Sequence, residues 1–366
     1  MNLQNLLKRF SSFRVANTGL IEVKPEERDA RDFEYDPEAT EILGFAKKVI
    51  FPGRDASRFC PAGELQRRND RDKMSCVSFS AANAIETLLN YFISLVKEDK
   101  ADEEVKEIIK IFTYFGIIKD GQVNCSDRYI AKLSGTTERG NTQANVFNAI
   151  RKYGLVAEEE WPYVSDWSEY FKPILTVVIA KGKKLAEFID VSYEWVNPFN
   201  FYDAMQYGVI QTSGYAWNGV KNGVYVATDY PKNHAFELSG AVASTKFTAF
   251  DSYEENPNDF HKDLAWDFNF GYGMIFYLNL KKKLTEFNET AIGELREKGV
   301  RFVFRPEARG EGYRVEEFSL THLTKEELES EMKSVFQRDL NTDLIELTKQ
   351  GKIKWLNEAD YQKLLT

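Results

Sequence analysis

Cysteine and histidine are both scarce here, with three of each in 366 residues. Cys60, Cys76 and Cys125 lack the paired spacings of a zinc site or a disulfide framework, and His234, His261 and His322 are too scattered for a histidine-rich metal centre. No metal and no other cofactor is expected, and a reducing compartment fits best. A basic cluster is missing too: the formal net charge is -9 with no acidic block, which favours solubility and argues against a nucleic-acid groove. The longest apolar stretches are broken by charges well before the ~20 residues of a membrane span, and the opening Met1-Asn2-Leu3-Gln4-Asn5 lacks a signal-peptide core. The expectation is a chain without a membrane span, cytoplasmic when made. Neither internal repeats nor low-complexity segments occur.

What remains is enough for a large core, since 43% of residues are hydrophobic and 14% aromatic. Residues 1–50 mix a short amphipathic piece with the charged stretch from Glu22 to Asp29 and read as an arm. Residues 51–283 read as the main body. Within it Cys76 to Val96 is the longest helical pattern, apolar on more than one face, so that helix should be central and buried. Helices follow over Glu103–Phe115, Ser126–Leu133 and Thr142–Tyr153, each with a cap signal. From Asp190 onward β-branched and aromatic residues dominate: Val191–Val196, Val209–Tyr215, Gly223–Ala227, Ala235–Ala243, Phe247–Ser252 and Tyr272–Leu280. Helices first and antiparallel strands second imply an α+β fold of two lobes, with chemistry in the cleft between them. Residues 284–366 form a C-terminal extension: a helical pattern over Thr285–Lys298, a hairpin over Val300–Val315 and helical periods from Lys325.

Cys76 stands where a polar loop turns into the buried helix. Unpaired backbone N–H groups and the positive end of the helix dipole lower a thiol pKa there, and they offer a donor to a developing oxyanion. Taken alone, a cysteine at a helix start is more often an inert buried thiol.

The segment Met74-Ser75-Cys76-Val77-Ser78-Phe79-Ser80-Ala81 resembles the active-site helix of papain-like cysteine peptidases. Further matches follow in order. Asn124-Cys125-Ser126-Asp127-Arg128-Tyr129 and Tyr153-Gly154-Leu155 through Trp161-Pro162-Tyr163 look like two later family segments, and Gly140-Asn141 sits where the family has its substrate-binding glycines. In the strand-rich half Asn233-His234-Ala235 resembles the catalytic-histidine motif, and Phe250-Asp251-Ser252-Tyr253 stands where the family has Asn-Ser-Trp. The resemblance covers about two thirds of the chain. It implies a papain-like two-lobed fold with N- and C-terminal extensions and a peptidase acting on a polypeptide substrate. Cys76 would be the nucleophile, His234 the base and Asp251 the orienting acid. The disulfide-free type with extra termini resembles proteins of tailed bacteriophages. That likeness implies a virion component whose extensions, chiefly Arg301–Val315 and Glu326–Phe336, dock other virion proteins or a second copy.

Several positions depart from the pattern. Asp70 occupies the place of the family's oxyanion-hole glutamine, leaving Gln66 and Asn69 as the candidate amides. A carboxylate in that hole would repel the charge it should stabilise. Val77 replaces the usual tryptophan, Tyr253 replaces the one shielding the histidine, and aspartate replaces asparagine. Two alternatives therefore stand beside the peptidase: a papain-fold structural protein with a weak or inactive site, and another Cys-dependent acyl transferase or amidase.

Overall fold

The computed structural model describes residues 48–281 except 69–70, 218 and 254–259, together with 19–22, 34–39, 41–42 and 45–46. In the C-terminal part it describes 295, 297–298, 300, 302–304, 312–315, 320–323, 350 and 353–355.

Helix α1, Cys76–Lys97, is buried without interruption from Cys76 to Leu89. Its sequence allows this because Ser78, Ser80, Ala81, Ala82 and Ala84 alternate with Phe79, Ile85 and Leu88, so neighbours approach closely on every side. Three shorter helices start at residues whose side chains take an otherwise unpaired N–H. Asp102 accepts from Val105 ahead of α2 (Glu103–Tyr114), Ser126 from Tyr129 ahead of α3 (Asp127–Leu133), and Thr142 from Asn145 ahead of α4 (Gln143–Tyr153). Gly154 ends α4 at φ 67°, a conformation that favours glycine. Helix α5, Thr176–Phe188, is an addition to the helices expected from the sequence.

The strands then form one eight-stranded sheet: β1 (Ile189–Val196), β2 (Ile210–Gly214), β3 (Val220–Lys221), β4 (Val224–Tyr225), β5 (His234–Val242), β6 (Lys246–Phe250), β7 (His261–Ala265) and β8 (Gly273–Leu280). Their spatial order is β1-β8-β2-β5-β6-β7-β4-β3, antiparallel throughout except where β4 meets β7. The class is therefore α+β, helices before a mostly antiparallel sheet. Strand β7 was not foreseen. Helix α1 lies on β5 and β2, and a core of Phe201, Ile210, Phe236, Leu238, Phe247 and Phe270 gathers around the central strands. From the N-terminal segment, the Tyr35 N–H bonds the Trp195 carbonyl at 2.7 Å along β1.

The chain divides into two compact units, Met1–Lys283 and Leu284–Thr366. The second contains a four-stranded sheet in which β9 (Phe302–Phe304) lies between β10 (Gly312–Val315) and β12 (Ile353–Trp355), with β11 (Leu320–Leu323) at the edge. β9 and β10 form the antiparallel pair expected over Val300–Val315, while the helix expected from Lys325 and the segment 326–336 lie outside the described residues. No helix among the described residues is long and apolar enough to cross a membrane.

Two carboxyls are sealed where α1 meets its neighbours. Glu86 accepts the Cys125 N–H at 2.5 Å, and Glu237 accepts the Thr87 hydroxyl at 3.0 Å and the Cys60 thiol at 3.8 Å. Burial pushes both up to about 8. The folded state thus holds protons that the unfolded chain gives up near pH 4.5. The resulting stability is complete below pH 4.5 and drains away as pH rises toward 8, by at most about 1.4 kcal/mol per pH unit for each group. Urea midpoints measured from pH 5 to 9 should fall, and the slope should flatten in Glu86→Gln and Glu237→Gln, which keep an oxygen acceptor and carry no titrating proton. An unchanged slope in both variants would contradict this assignment.

Candidate active site

Cys76 is the first residue of α1, fully buried, and its neighbourhood is tied down from both sides. Gln211 of β2 donates through Nε2 to the Val77 carbonyl at 2.7 Å and to the Ser80 hydroxyl at 2.8 Å, while the Ser80 hydroxyl donates to the Cys76 carbonyl at 2.8 Å. The helix start is therefore fixed to the sheet. His234 opens β5 and is equally buried. Its Nε2 lies 2.5 Å from Asp251 Oδ1, and the Cys76 side chain is near enough to act on the imidazole electrostatically. Asp251 follows the end of β6, held in place by its own N–H on the Phe260 carbonyl at 3.0 Å. The three sequence candidates thus meet as sulfur, imidazole and carboxylate.

Electrostatics favour a charged imidazole. Burial alone would lower the His234 pKa, but the adjoining Asp251 carboxylate outweighs it and the Cys76 sulfur acts in the same sense, raising it to about 10. Burial by itself would raise Asp251, and the imidazolium, Lys262 and the Trp217 N–H together hold it below the ordinary carboxylate range. The other two thiols are pushed well up: Cys60 by burial and Glu237, Cys125 by burial and Glu86.

Two residues of this cluster escaped the sequence reading. Trp217, between β2 and β3, donates its indole N–H to Asp251 Oδ2 at 2.5 Å and sets its ring 5.9 Å from the imidazole. Asn233 steadies that connection by accepting the Ala216 N–H at 2.9 Å. Lys262 of β7 places Nζ 3.4 Å from Asp251 Oδ2. Neither belongs to a local motif, although Lys262 alternates in phase with buried Leu264 and so sits on the inner face of its strand. Tyr253, expected to shield the histidine, does pack on its ring at 5.4 Å.

The remaining candidates divide. Gln66 is buried beside Ser252: its N–H bonds the Ser252 carbonyl at 3.1 Å, its Oε1 accepts the Ser252 hydroxyl at 3.2 Å, and its Nε2 donates to Asp72 at 2.9 Å. A two-rung ladder, Arg67–Arg68 with Arg71–Asp72, projects between Gln66 and Lys73. Gln66 therefore stands at the root of this ladder. Asn69 and Asp70 lie outside the described residues. Gly140 and Asn141 form a backbone edge that is already paired. The Asn141 N–H donates to Gly19 at 2.8 Å and its carbonyl accepts the Ile21 N–H at 2.7 Å, a parallel bridge centred on Leu20. The approach is close enough that a Cβ on Gly140 would stand 1.9 Å from the Gly19 carbonyl oxygen, and one on Gly19 2.2 Å from the Met74 oxygen. The Asn141 side chain is internal, donating to Ser134 and Thr136 and accepting from Thr142. Among the described residues no group of three or more His, Cys, Asp or Glu could hold a metal.

No protein-family model matches the chain, and no curated protein matches it. Among solved structures it is similar to xylellain, a cysteine protease from Xylella fastidiosa, at 18% identity and TM-score 0.45 over 73% of this chain and 97% of that one. A second likeness, to a structure from work on antibody cross reactivity between the mite allergens Blo t 1 and Der p 1, has 14% identity and TM-score 0.39 over 67% and 75%.

Limiting iodoacetamide at neutral pH should label Cys76 ahead of Cys60 and Cys125, read by peptide mass mapping; preferential labelling of either other thiol removes the assignment. Because residues 19–22 run past Met74, Gly19→Val should push them off the edge and speed Cys76 labelling several-fold at unchanged far-ultraviolet circular dichroism. An unaltered rate would show that this segment does not control access.

Proposed function

We propose that the chain is a papain-like cysteine peptidase in which Cys76, His234 and Asp251 carry the reaction. The observation that supports this most is the buried His234–Asp251 contact at 2.5 Å beside Cys76, with the sulfur at a helix start and the imidazole held protonated. In this reading Cys76 attacks as a thiolate with His234 as its proton carrier, so the histidine enters the first step as an acid. The thiolate adds to the peptide carbonyl carbon and the carbonyl π pair moves to oxygen. The Cys76 backbone N–H and the Gln66 amide are the assigned donors to that oxyanion. Collapse of the intermediate breaks the C–N bond as His234 gives its proton to the departing amine. The neutral imidazole then takes a proton from water, which adds to the thioester; the second tetrahedral intermediate releases the acid and restores the thiolate–imidazolium pair.

A polypeptide substrate is favoured over a side-chain amide by the Gly140–Asn141 edge, which in this structure pairs with an extended backbone, residues 19–21. Hydrolysis of a fluorogenic peptide library tests the reading. Activity should vanish in Cys76→Ala and fall roughly 10²–10³-fold in Gln66→Ala if that amide serves the oxyanion. Turnover that survives Cys76→Ala would end the proposal, and a reactive Cys76 that cleaves no peptide would point to acyl transfer.

A further inference from the structure

Lysine is rarely buried, because its ammonium loses hydration that only a close anion can replace. Lys262 is 3% exposed, on the short strand β7. Its place follows from the strand pairing: Lys262 stands opposite Ala249, two residues before Asp251 and hence on the same face of β6. There Nζ reaches Asp251 Oδ2 at 3.4 Å, and it stands 5.2 Å from the centre of the Trp217 ring whose N–H binds the same oxygen. Asp251 thus has a division of labour between its two oxygens, Oδ1 for His234 and Oδ2 for Trp217 and Lys262.

The charges explain why such a cation belongs here. Cys76, His234 and Asp251 are all fully buried. A thiolate, an imidazolium and a carboxylate sum to -1, whereas an asparagine in the third position would give zero. A net charge sealed from water is strongly disfavoured unless compensated. Lys262 brings the sum back to zero. It also stays with the carboxylate when His234 surrenders its proton, so Asp251 keeps a cationic partner in both states of the imidazole.

We propose that Lys262 is a positioning residue of this site, a fixed counter-charge that lets an aspartate do the work of a neutral amide behind His234. The inference rests on the Cys76–His234–Asp251 reading above. Among the described residues the titratable or charged groups facing His234 and Asp251 are Cys76 from α1, Lys262 from β7 and Tyr253 after β6; Trp217 is neutral. Loss of the lysine charge leaves nearby protons harder to remove, so the imidazole should hold its proton to higher pH and the onset of Cys76 reactivity should move with it.

The rate of Cys76 alkylation, followed from pH 4 to 11 in the full-length protein, reads this directly and does not depend on any peptide being cleaved. Lys262→Met should move the profile to higher pH by roughly one unit or more, and Lys262→Arg should leave it near that of the unsubstituted protein. Asp251→Asn alone should lose reactivity, since it strands a buried ammonium. Asp251→Asn combined with Lys262→Met should recover much of the loss, because the pair is then neutral without either charge. That double variant also serves if Lys262→Met folds poorly, with circular dichroism and the thermal midpoint as controls. A Lys262→Met profile superimposable on the original, or a double variant no better than Asp251→Asn, would overturn the proposal. A bell-shaped alkylation profile that shifts as expected without any peptide hydrolysis would instead overturn the peptidase reading and leave this one standing.

Discussion

Everything at the site hangs on one packing contact, that of α1 against β5 and β2. A helix buried on all sides along its first fourteen residues cannot slide or rotate without opening the core, so the sulfur at its start holds a fixed distance from the strand that carries the imidazole. Polar ties reinforce the apolar ones. Gln211 bonds the first turn of the helix and Glu237 bonds Thr87 two turns further on, so β2 and β5 each grip α1 at a separate point. Asp251 is then positioned by β6, which β5 pairs along most of its length. The relay is a consequence of three rigid elements meeting, with only the connection carrying Trp217 supplied by a loop.

Burial of ionisable groups takes two forms in this fold. Glu86 and Glu237 avoid the cost of a sealed charge by keeping their protons, each bonded to donors that a neutral carboxyl can accept. Asp251 and His234 instead stay charged, because each has an opposite charge within reach. The difference lies in partners: no cation is among the contacts that stabilise Glu237, whereas Asp251 has two. Sequence spacing alone does not distinguish these cases, since all are acidic residues within or just beyond apolar segments.

Much of the fold was legible because local rules and tertiary packing agree over long stretches. The unbroken apolar run from Cys76 marked the central helix, and Ser126, Thr142 and Gly154 marked helix ends whose hydrogen bonds are present. Helix α5 was hidden by its lysines and by Gly182, which reads as a breaker. In the structure that glycine is where the helix backbone meets the Tyr129 hydroxyl and the Tyr153 carbonyl, 2.4 and 2.5 Å from where a Cβ would be. Strand β7 has little intrinsic strand preference in His261-Lys262-Asp263-Leu264-Ala265 and forms because β6 offers a complete row of partners. At the site, Cys76, His234 and Asp251 sit in recognisable local patterns. Trp217 and Lys262 come from segments with no signature, and only strand register brings the lysine to its oxygen.

The pairing of residues 19–21 with Asn141 has a thermodynamic side as well as a steric one. A segment of the same chain meets its docking edge at an effective concentration on the order of millimolar, whatever the concentration of the protein. Dilution therefore cannot free the edge, and any peptide that was to use it from solution would compete against a rival that never diffuses away. Side-chain contacts made by the newcomer and not by Gly19, Leu20 and Ile21 would have to supply the difference. A single break in the chain between this strand and the body would change the regime at once, turning an intramolecular contact into an ordinary bimolecular one that is lost on dilution.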